Sequence, residues 1–434
     1  MSLSRAKPWL AVWLLTLLTG ASAFGQGVRD MQLFAPAEID GFGNGARADE
    51  GFFFQFDGLY WWILPPDTDP VGFPDLTREV FYSPEEGTTQ SNTIDNSNLT
   101  ADAVGGQRYE FGCIRGHHGF MFSILDLTHQ NQRLVYSDVD MVFNDVPFQH
   151  PGTGLHGHLH GYVSDVVTAT TDDAEYENSV LRDLPVTFEE VVIRNRVSIW
   201  GTEADYIFRT HPAHHGGIFE ILCGVRYFEF EERFSFEGIG DRFERAFGEI
   251  DEDTGEPTGA PIGPGTILDE TFYWMDSRNH IIGPQFGLRW FRQSKRWTMS
   301  TEARFFAGFN IQNLKLEGTL GTELDEEDPS SRTQDIPVQF MPFVPLMRPV
   351  GFKHSRTEEE WSPGVELRFD LQYKLTRAVD FKVGWTGMWI DGIARSSNLI
   401  DYTLTENRIM GIDLKDNRQG VFMHGLNIGF NINR

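Results

Sequence analysis

From residue 54 onward the chain repeatedly alternates apolar and polar side chains with a period of two. In Phe54 to Trp62, residues Phe54, Phe56, Tyr60 and Trp62 share one face of an extended segment, and Gln55 and Asp57 share the other. The signature recurs six times. Trp200, Ala204, Tyr206 and Phe208 oppose Glu203, Asp205 and Arg209, and Phe219, Ile221, Val225 and Tyr227 oppose Glu220 and Arg226. Phe286, Leu288 and Trp290 oppose Gln285 and Arg289; Trp297, Met299, Ala303, Phe305 and Phe309 oppose Ser300, Glu302 and Arg304. Val365, Leu367, Phe369, Leu371 and Tyr373 oppose Glu366, Arg368, Asp370 and Gln372; Val379, Phe381, Val383, Trp385 and Trp389 oppose Asp380, Lys382 and Thr386. Charges of both signs on one face need partners if that face is buried. An apolar face turned to lipid and a polar face turned to a lumen meet that condition. A soluble sandwich with one solvated face would alternate too.

The connections separate the two. Strands are expected at about 52–63, 107–114, 119–128, 196–209, 217–235, 280–292, 297–313, 362–375, 379–390 and 420–432. Short links (115–118, 210–216, 293–296, 376–378) alternate strictly with long ones at about 65–106, 129–195, 236–279, 314–361 and 391–419. That is the layout of an all-β protein with a single antiparallel transmembrane β-barrel of about ten strands (range about 8–12), short periplasmic turns and long extracellular loops. Leu134 to Phe143 and Val186 to Arg194 are candidates for two further strands.

The first residues agree with export. Arg5 and Lys7 precede an apolar run from Trp9 to Leu18, then Ala21-Ser22-Ala23, which reads as a signal peptide over 1–23. Residues 24–50 read as a flexible lead-in, and 51–434 as the barrel, placed in the outer membrane. Later in the chain no apolar run reaches the ~20 residues of a membrane helix. Only Cys113 and Cys223 are present, both on the apolar parity; they could pair in an exported protein or serve as small apolar residues.

Tyr60, Trp62, Tyr227, Trp290, Trp297, Tyr373, Trp385 and Trp389, with Trp61 and Trp274, sit near strand ends, where interfacial girdles place aromatic rings. The short links hold Arg115, Arg209, Lys295, Arg296, Lys374 and Arg377, whereas Asp172-Asp173, Asp251-Glu252-Asp253 and Glu323 to Asp328 lie in long loops. The net charge of −27 disfavours nucleic acid as a partner.

An ordered set of segments resembles the planctomycete outer-membrane β-barrel family, a group of unassigned role. The segments are Leu222 to Phe228 with Glu231-Glu232, Arg278-Asn279-His280, Gly283 to Arg289, Arg296-Trp297, Gly308-Phe309-Asn310, Pro363 to Leu367, Tyr373 to Thr376, Val383-Gly384-Trp385 and His424 to Phe430. The resemblance implies a bacterial outer-membrane barrel and supplies no catalytic residue. Where barrel assembly signals usually end in an aromatic residue, Phe430 is followed here by Asn431 to Arg434.

Candidate chemistry is sparse. His156, His158 and His160 would share one face of an extended segment and could bind Zn²⁺ or Cu²⁺, or could be part of a Gly-rich polar loop. His211, His214 and His215 fall in a tight turn with Pro212. The acidic loops could attract divalent cations, although Asp251 to Glu256 lacks the spacing of a calcium loop. No nucleophile elbow, P-loop or dinucleotide fingerprint is present, so neither enzyme activity nor a cofactor is expected. The expected partners are outer-membrane lipid and the barrel-assembly machinery. With about ten strands and charged residues turned inward, the lumen is expected to be filled or narrow. The first expectation is a structural or surface-interaction barrel acting through acidic loops. The alternatives are a narrow cation-preferring channel and a secreted soluble acidic β-protein that binds a ligand.

Overall fold

The structure is a computed structural model that describes residues 50–72, 79–83, 87–90, 94–145, 147–149, 156–158, 183–213, 217–239, 270–320, 350–404 and 410–433. Ten antiparallel strands close into a barrel. They are β1 (Gly51–Ile63), β2 (Ala103–Arg115), β3 (His118–Asp145), β4 (Asp183–Arg209), β5 (Gly217–Ile239), β6 (Glu270–Ser294), β7 (Trp297–Leu320), β8 (Val350–Lys374), β9 (Val379–Ile393) and β10 (Gln419–Asn433). Each strand pairs with the next in the chain, and β1 pairs with β10 from Phe53↔Asn433 to Ile63↔Met423, so no edge is left open.

The outer wall carries the apolar parity. Phe52, Phe120, Phe219, Val225, Leu288, Trp297, Phe369 and Ile428 are among its exposed residues, and they ring the barrel as lipid-facing side chains do. The turn end is tight: β2–β3 and β6–β7 are each joined by two residues. Gly116 (φ 62°) and Lys295 (φ 55°) supply the positive φ these turns require.

The wall is not of even height. β1, β2, β9 and β10 have 13–15 residues, a little more than the ~9–11 that cross a bilayer when tilted. β3 to β8 have 23–28 residues and run on past the others at the loop end. Leu134 to Phe143 and Val186 to Arg194 are therefore not an eleventh and twelfth strand. They are the upper parts of β3 and β4, paired to one another from Leu134↔Ile193 to Phe143↔Leu184. The expected strands 119–128, 196–209 and 280–292 stopped short of this region, where the polarity of the two faces reverses with height; the expected 217–235 ran through it, and β5 shows the reversal plainly. On β5, Tyr227 is the last apolar outward residue, and above it Glu229, Glu231 and Arg233 face out while Phe228, Phe230, Phe234 and Phe236 are buried inside.

The projecting inner face of the tall wall is covered by chain from the low wall. Residues 64–72, 94–102 and 394–404 fold over it. Val71, Ala394, Leu399, Ile400, Tyr402 and Met410 pack on Val191, Ile193, Phe234, Phe236, Tyr273, Met275, Leu314, Leu316 and Phe352. A bulge between Ile390 and Ile393 starts this fold-over. Its Gly392 sits at φ 70°, and a Cβ there would meet the Trp361 carbonyl at 2.4 Å, so only glycine fits.

Candidate functional site

The interior is layered. Nearest the turns, Phe53, Ile114, Met121, Ile207 and Leu222 form a small apolar plug. Above it lies a charged layer. Arg226 Nη2 donates to Glu203 and to Glu366, each at 2.6 Å. Arg304 pairs with Glu203 and Glu302, Arg289 with Glu302 and Glu220, and Arg209 Nε donates to Glu220 at 2.7 Å. Arg368 joins Glu366 and Glu110, and Arg108 Nη2 stands 3.4 Å from Glu366. Gln285 donates to Asp205 at 2.5 Å and to Glu203 at 3.2 Å. Lys382 bridges Asp57 at 3.0 Å and Asp370 at 3.3 Å, with Gln55 donating to Asp57.

Several of these links join β2 to β8 (Arg108–Glu366, Glu110–Arg368), β5 to β8 (Arg226–Glu366) and β4 to β7 (Glu203–Arg304). Those strands are not neighbours in the sheet, so the pairs cross the bore. Guanidinium groups suit this arrangement because each offers several donors in a fixed plane to carboxylates on different strands. Aromatic rings cap the layer: Arg108 lies over Trp61, Arg226 over Phe306 and Arg209 over Phe291, at 5.2–5.3 Å. The cavity bounded by Arg108, Glu203, Arg226, Glu366 and Met388 measures about 20 Å³, room for about one water.

Of the polar residues assigned to the lumen from the sequence, Asp370 and Asp380 are half-buried and the rest are buried. Arg108 and Glu110 belong to the same layer but were missed, although Arg108-Tyr109-Glu110-Phe111 shows the required alternation. Arg209, placed with the turn cations by its position, is fully buried because it shares the inward parity of Glu203 and Asp205. Trp61 is likewise no girdle residue. Its parity is inward, and its Nε1 donates to Asn427 Oδ1 at 2.9 Å. Tyr60, Trp297 and Trp389 are exposed on the outer wall, and Trp62, Tyr227, Trp290, Tyr373 and Trp385 are partly exposed there.

A second apolar layer, including Leu59, Trp61, Ile199, Phe228, Phe230, Ile281, Phe306 and Met388, seals the charged layer from above. Over it lies a ring of inward amides that grips the folded-in chain. Asn310 Nδ2 donates to the Gly392 carbonyl (2.8 Å), Gln312 Nε2 to the Gly392 and Asn417 carbonyls (3.1 and 2.9 Å), and Asn279 Nδ2 to the Ala394 carbonyl (3.0 Å). Arg395 then meets Glu232 in a two-pronged pair, Nε–Oε2 2.8 Å and Nη2–Oε1 3.0 Å. The Ser396 amide donates to the same carboxylate at 2.9 Å, and its hydroxyl reaches the Glu232 carbonyl at 2.7 Å. This lid is absent from the sequence expectations, which left 391–419 as a loop; its contacts join positions 80 or more residues apart. At its edge, burial together with the carboxylates of Asp416 and Asp413 raises Asp69 to about 6.

His156 and His158 lie in a short strand, His156–His158, paired with Pro147–Gln149; His160 lies outside the described residues. Among the described residues no group of three or more His, Cys, Asp or Glu is placed to hold a metal ion. Cys113 and Cys223 are free thiols on β2 and β5, which do not pair. The signal segment 1–23, the lead-in to residue 49, His214, His215 and the acidic runs at 172–173, 251–253 and 323–328 also lie outside the described residues.

A closed ten-stranded antiparallel barrel with an apolar outer band and a charged interior defines an outer-membrane β-barrel protein. Residues 191–433 match the family described as "Putative beta barrel porin-7", and the chain belongs to that family. Among solved structures it is similar to the outer membrane protease OmpT from Escherichia coli (8% identity, 89% of this chain and 97% of the other, TM-score 0.35). It is also similar to the toluene transporter TbuX from Ralstonia pickettii (8%, 88% and 90%, TM-score 0.25) and to a Pseudomonas aeruginosa FadL homologue (8%, 88% and 90%, TM-score 0.21). No curated protein matches the chain.

Proposed function

We propose that this protein is a closed outer-membrane barrel with a structural or surface-interaction role, acting through what it holds above the lipid. The observation that carries this reading is the filled bore: two apolar layers enclose a cross-linked charged layer, and a lid of the protein's own chain lies over both. An ion crossing the charged layer would have to displace buried pairs that join opposite walls, and breaking one costs about 3–5 kcal/mol. No catalytic residue is assigned. Its partners on this reading are the surrounding lipid and, during insertion, the assembly machinery, with divalent cations at the acidic loops. The apolar outer band leaves no support for the secreted soluble alternative.

The test is conductance of the purified barrel in planar bilayers. Silence at moderate voltage is the expected result; stable, cation-selective steps would favour the second reading, a narrow cation-preferring channel. One observation favours that reading: the porin designation of the family.

A further inference from the structure

β1 and β10 are neighbours in the wall without being consecutive in the chain. In a hairpin the turn fixes the register, and no turn acts between these two strands. The pattern of faces does not fix it either. A slip of one residue would turn the apolar face inward, but a slip of two restores the alternation on both strands. Some other feature must select Asp57↔Gly429 and Trp61↔Gly425 as partners.

The inward positions of β10 include Gly425, Asn427 and Gly429, two notches with an amide between them. They lie in His424 to Phe430, one of the segments that carry the family resemblance. β1 presents Asp57 and Trp61 inward at the same four-residue spacing, and each lies across one notch. A Cβ on Gly425 would stand 2.5 Å from Trp61 Cδ1, and one on Gly429 would stand 2.5 Å from Asp57 Oδ1. Across these notches β1 is tied to β9. Lys382 Nζ donates to Asp57 Oδ2 at 3.0 Å. Trp61 Nε1 donates to Asn427 Oδ1 at 2.9 Å, and Asn427 Nδ2 donates onward to Thr386 Oγ1 at 2.7 Å. All five side chains are buried, and Asp370 of β8 holds Lys382 from the other side at 3.3 Å.

We propose that this inner clasp sets the register in which the barrel closes. It accepts one alignment. Slipped by two residues, Asp57 and Trp61 would face Asn427 and Met423, or Asn431 and Asn427, whose side chains fill the room that the carboxylate and the indole need. Slipped by four, only one of the two would meet a glycine. The clasp acts on closure of the wall and is independent of whether the bore conducts.

The test reads the register from disulfides on the lipid face of the full chain, refolded in detergent with Cys113→Ala and Cys223→Ala in place. Phe56 and Phe430 are partners across the seam. Diagonal neighbours stand about 7–8 Å apart, too far for a disulfide, so each pair of cysteines reports one register. In the heat-modifiable band, Phe56→Cys/Phe430→Cys should cross-link about tenfold more than Phe56→Cys/Ile428→Cys or Phe56→Cys/Ile432→Cys. Filling the notches with Gly425→Ala/Gly429→Ala should raise a slipped pair to a yield comparable with the matched one. Trp61→Leu, which frees one notch without adding bulk, should raise it too. Gly224→Ala, whose Cβ would crowd Asp205 away from the seam, should leave the register unchanged. Slipped cross-links absent from both seam variants, or as frequent in Gly224→Ala, would overturn the clasp. Loss of the folded band in both seam variants while Gly224→Ala keeps it would make these residues a condition for closing at all, and would overturn a role in choosing the register.

Discussion

The lower and upper halves of the barrel wall are the same strands in unbroken pairing, yet they obey opposite solvent rules. On β5 the outward positions are Phe219, Ile221, Cys223, Val225 and Tyr227 below, then Glu229, Glu231, Arg233, Ser235 and Glu237 above. The inward positions change in the reverse sense, from Glu220 and Arg226 to Phe228, Phe230, Phe234 and Phe236, interrupted by Glu232, which receives the lid. No bulge intervenes on β5. The alternation therefore keeps its phase while the environment outside switches from hydrocarbon to water. Below, the sheet is a membrane barrel with a polar inside. Above, it is a half-wall with an apolar inside, and such a face must be covered. The low wall supplies the cover, which is how four strands of 13–15 residues can share a barrel with six of 23–28.

The lower half is the more costly to disturb from within. Glu366 is fully buried and meets Arg108, Arg226 and Arg368. Glu366→Ala leaves guanidinium groups without their common acceptor, and the expected loss is about 3–5 kcal/mol. The temperature at which the folded band gives way to the unfolded one on gels should drop sharply. An unchanged transition would mean that water, rather than Glu366, carries those arginines.

The two halves should also differ from outside. Cys223→Arg puts a charge on the lipid face in the middle of the apolar band (Phe219 to Tyr227) and should cost about 2–4 kcal/mol in bilayer-coupled unfolding, whereas Ser235→Arg, on the same parity twelve residues up the same strand, should be close to neutral. Equal penalties at both positions would remove the switch of environment from the argument.

That switch also decides what was legible in the chain. The barrel, its strand number and its closed layout follow from the apolar-out alternation and from the spacing of the connections, because both persist wherever the wall touches lipid. The upper wall was hidden for a specific reason. In Glu270–Asn279, Phe272 and Trp274 face out with Asp276 and Arg278 while Tyr273 and Met275 face in with Ser277, so neither face shows one polarity. Most of the charged layer was legible residue by residue, Arg108 and Glu110 excepted, but its pairing was not, since Glu366 meets arginines on β2, β5 and its own strand. The lid was not legible. Asn279, Asn310, Gln312 and Glu232 grip backbone carbonyls and a single arginine far along the chain, and no local period marks such contacts.

The lid should be easier to release than the lower layer, because its partners can return to water. Arg395→Ala removes the two-pronged contact with Glu232 and the ring contact with Phe230, and about 1–3 kcal/mol of local stability is expected to go. Amide hydrogen exchange should speed up over 392–404 while the lower parts of β5 to β8 keep their protection. Uniform loss of protection would instead make the lid a part of the same cooperative unit as the barrel.

The smallest effect concerns the edge of the lid, where the burial of Asp69 and its acidic neighbours Asp416 and Asp413 raise its carboxyl from 3.8 to about 6. A raised carboxyl means that the folded state binds the proton more tightly than the unfolded one. Its contribution is therefore most favourable below about 4 and is lost as the pH climbs through 6. Asp69 is only about half shielded, so solvent screening keeps the change small. Amide protection of Val71, Asn96 and Leu99, which close the backbone bonds of this edge, should be higher at pH 5 than at pH 7 after correction for intrinsic exchange. Asp69→Asn should hold the higher value at both pH values. A wild-type edge that loosens on acidification would place the controlling charge on an ion pair instead, since pairs weaken as their carboxylates take up protons, whereas a crowded carboxylate is relieved by it.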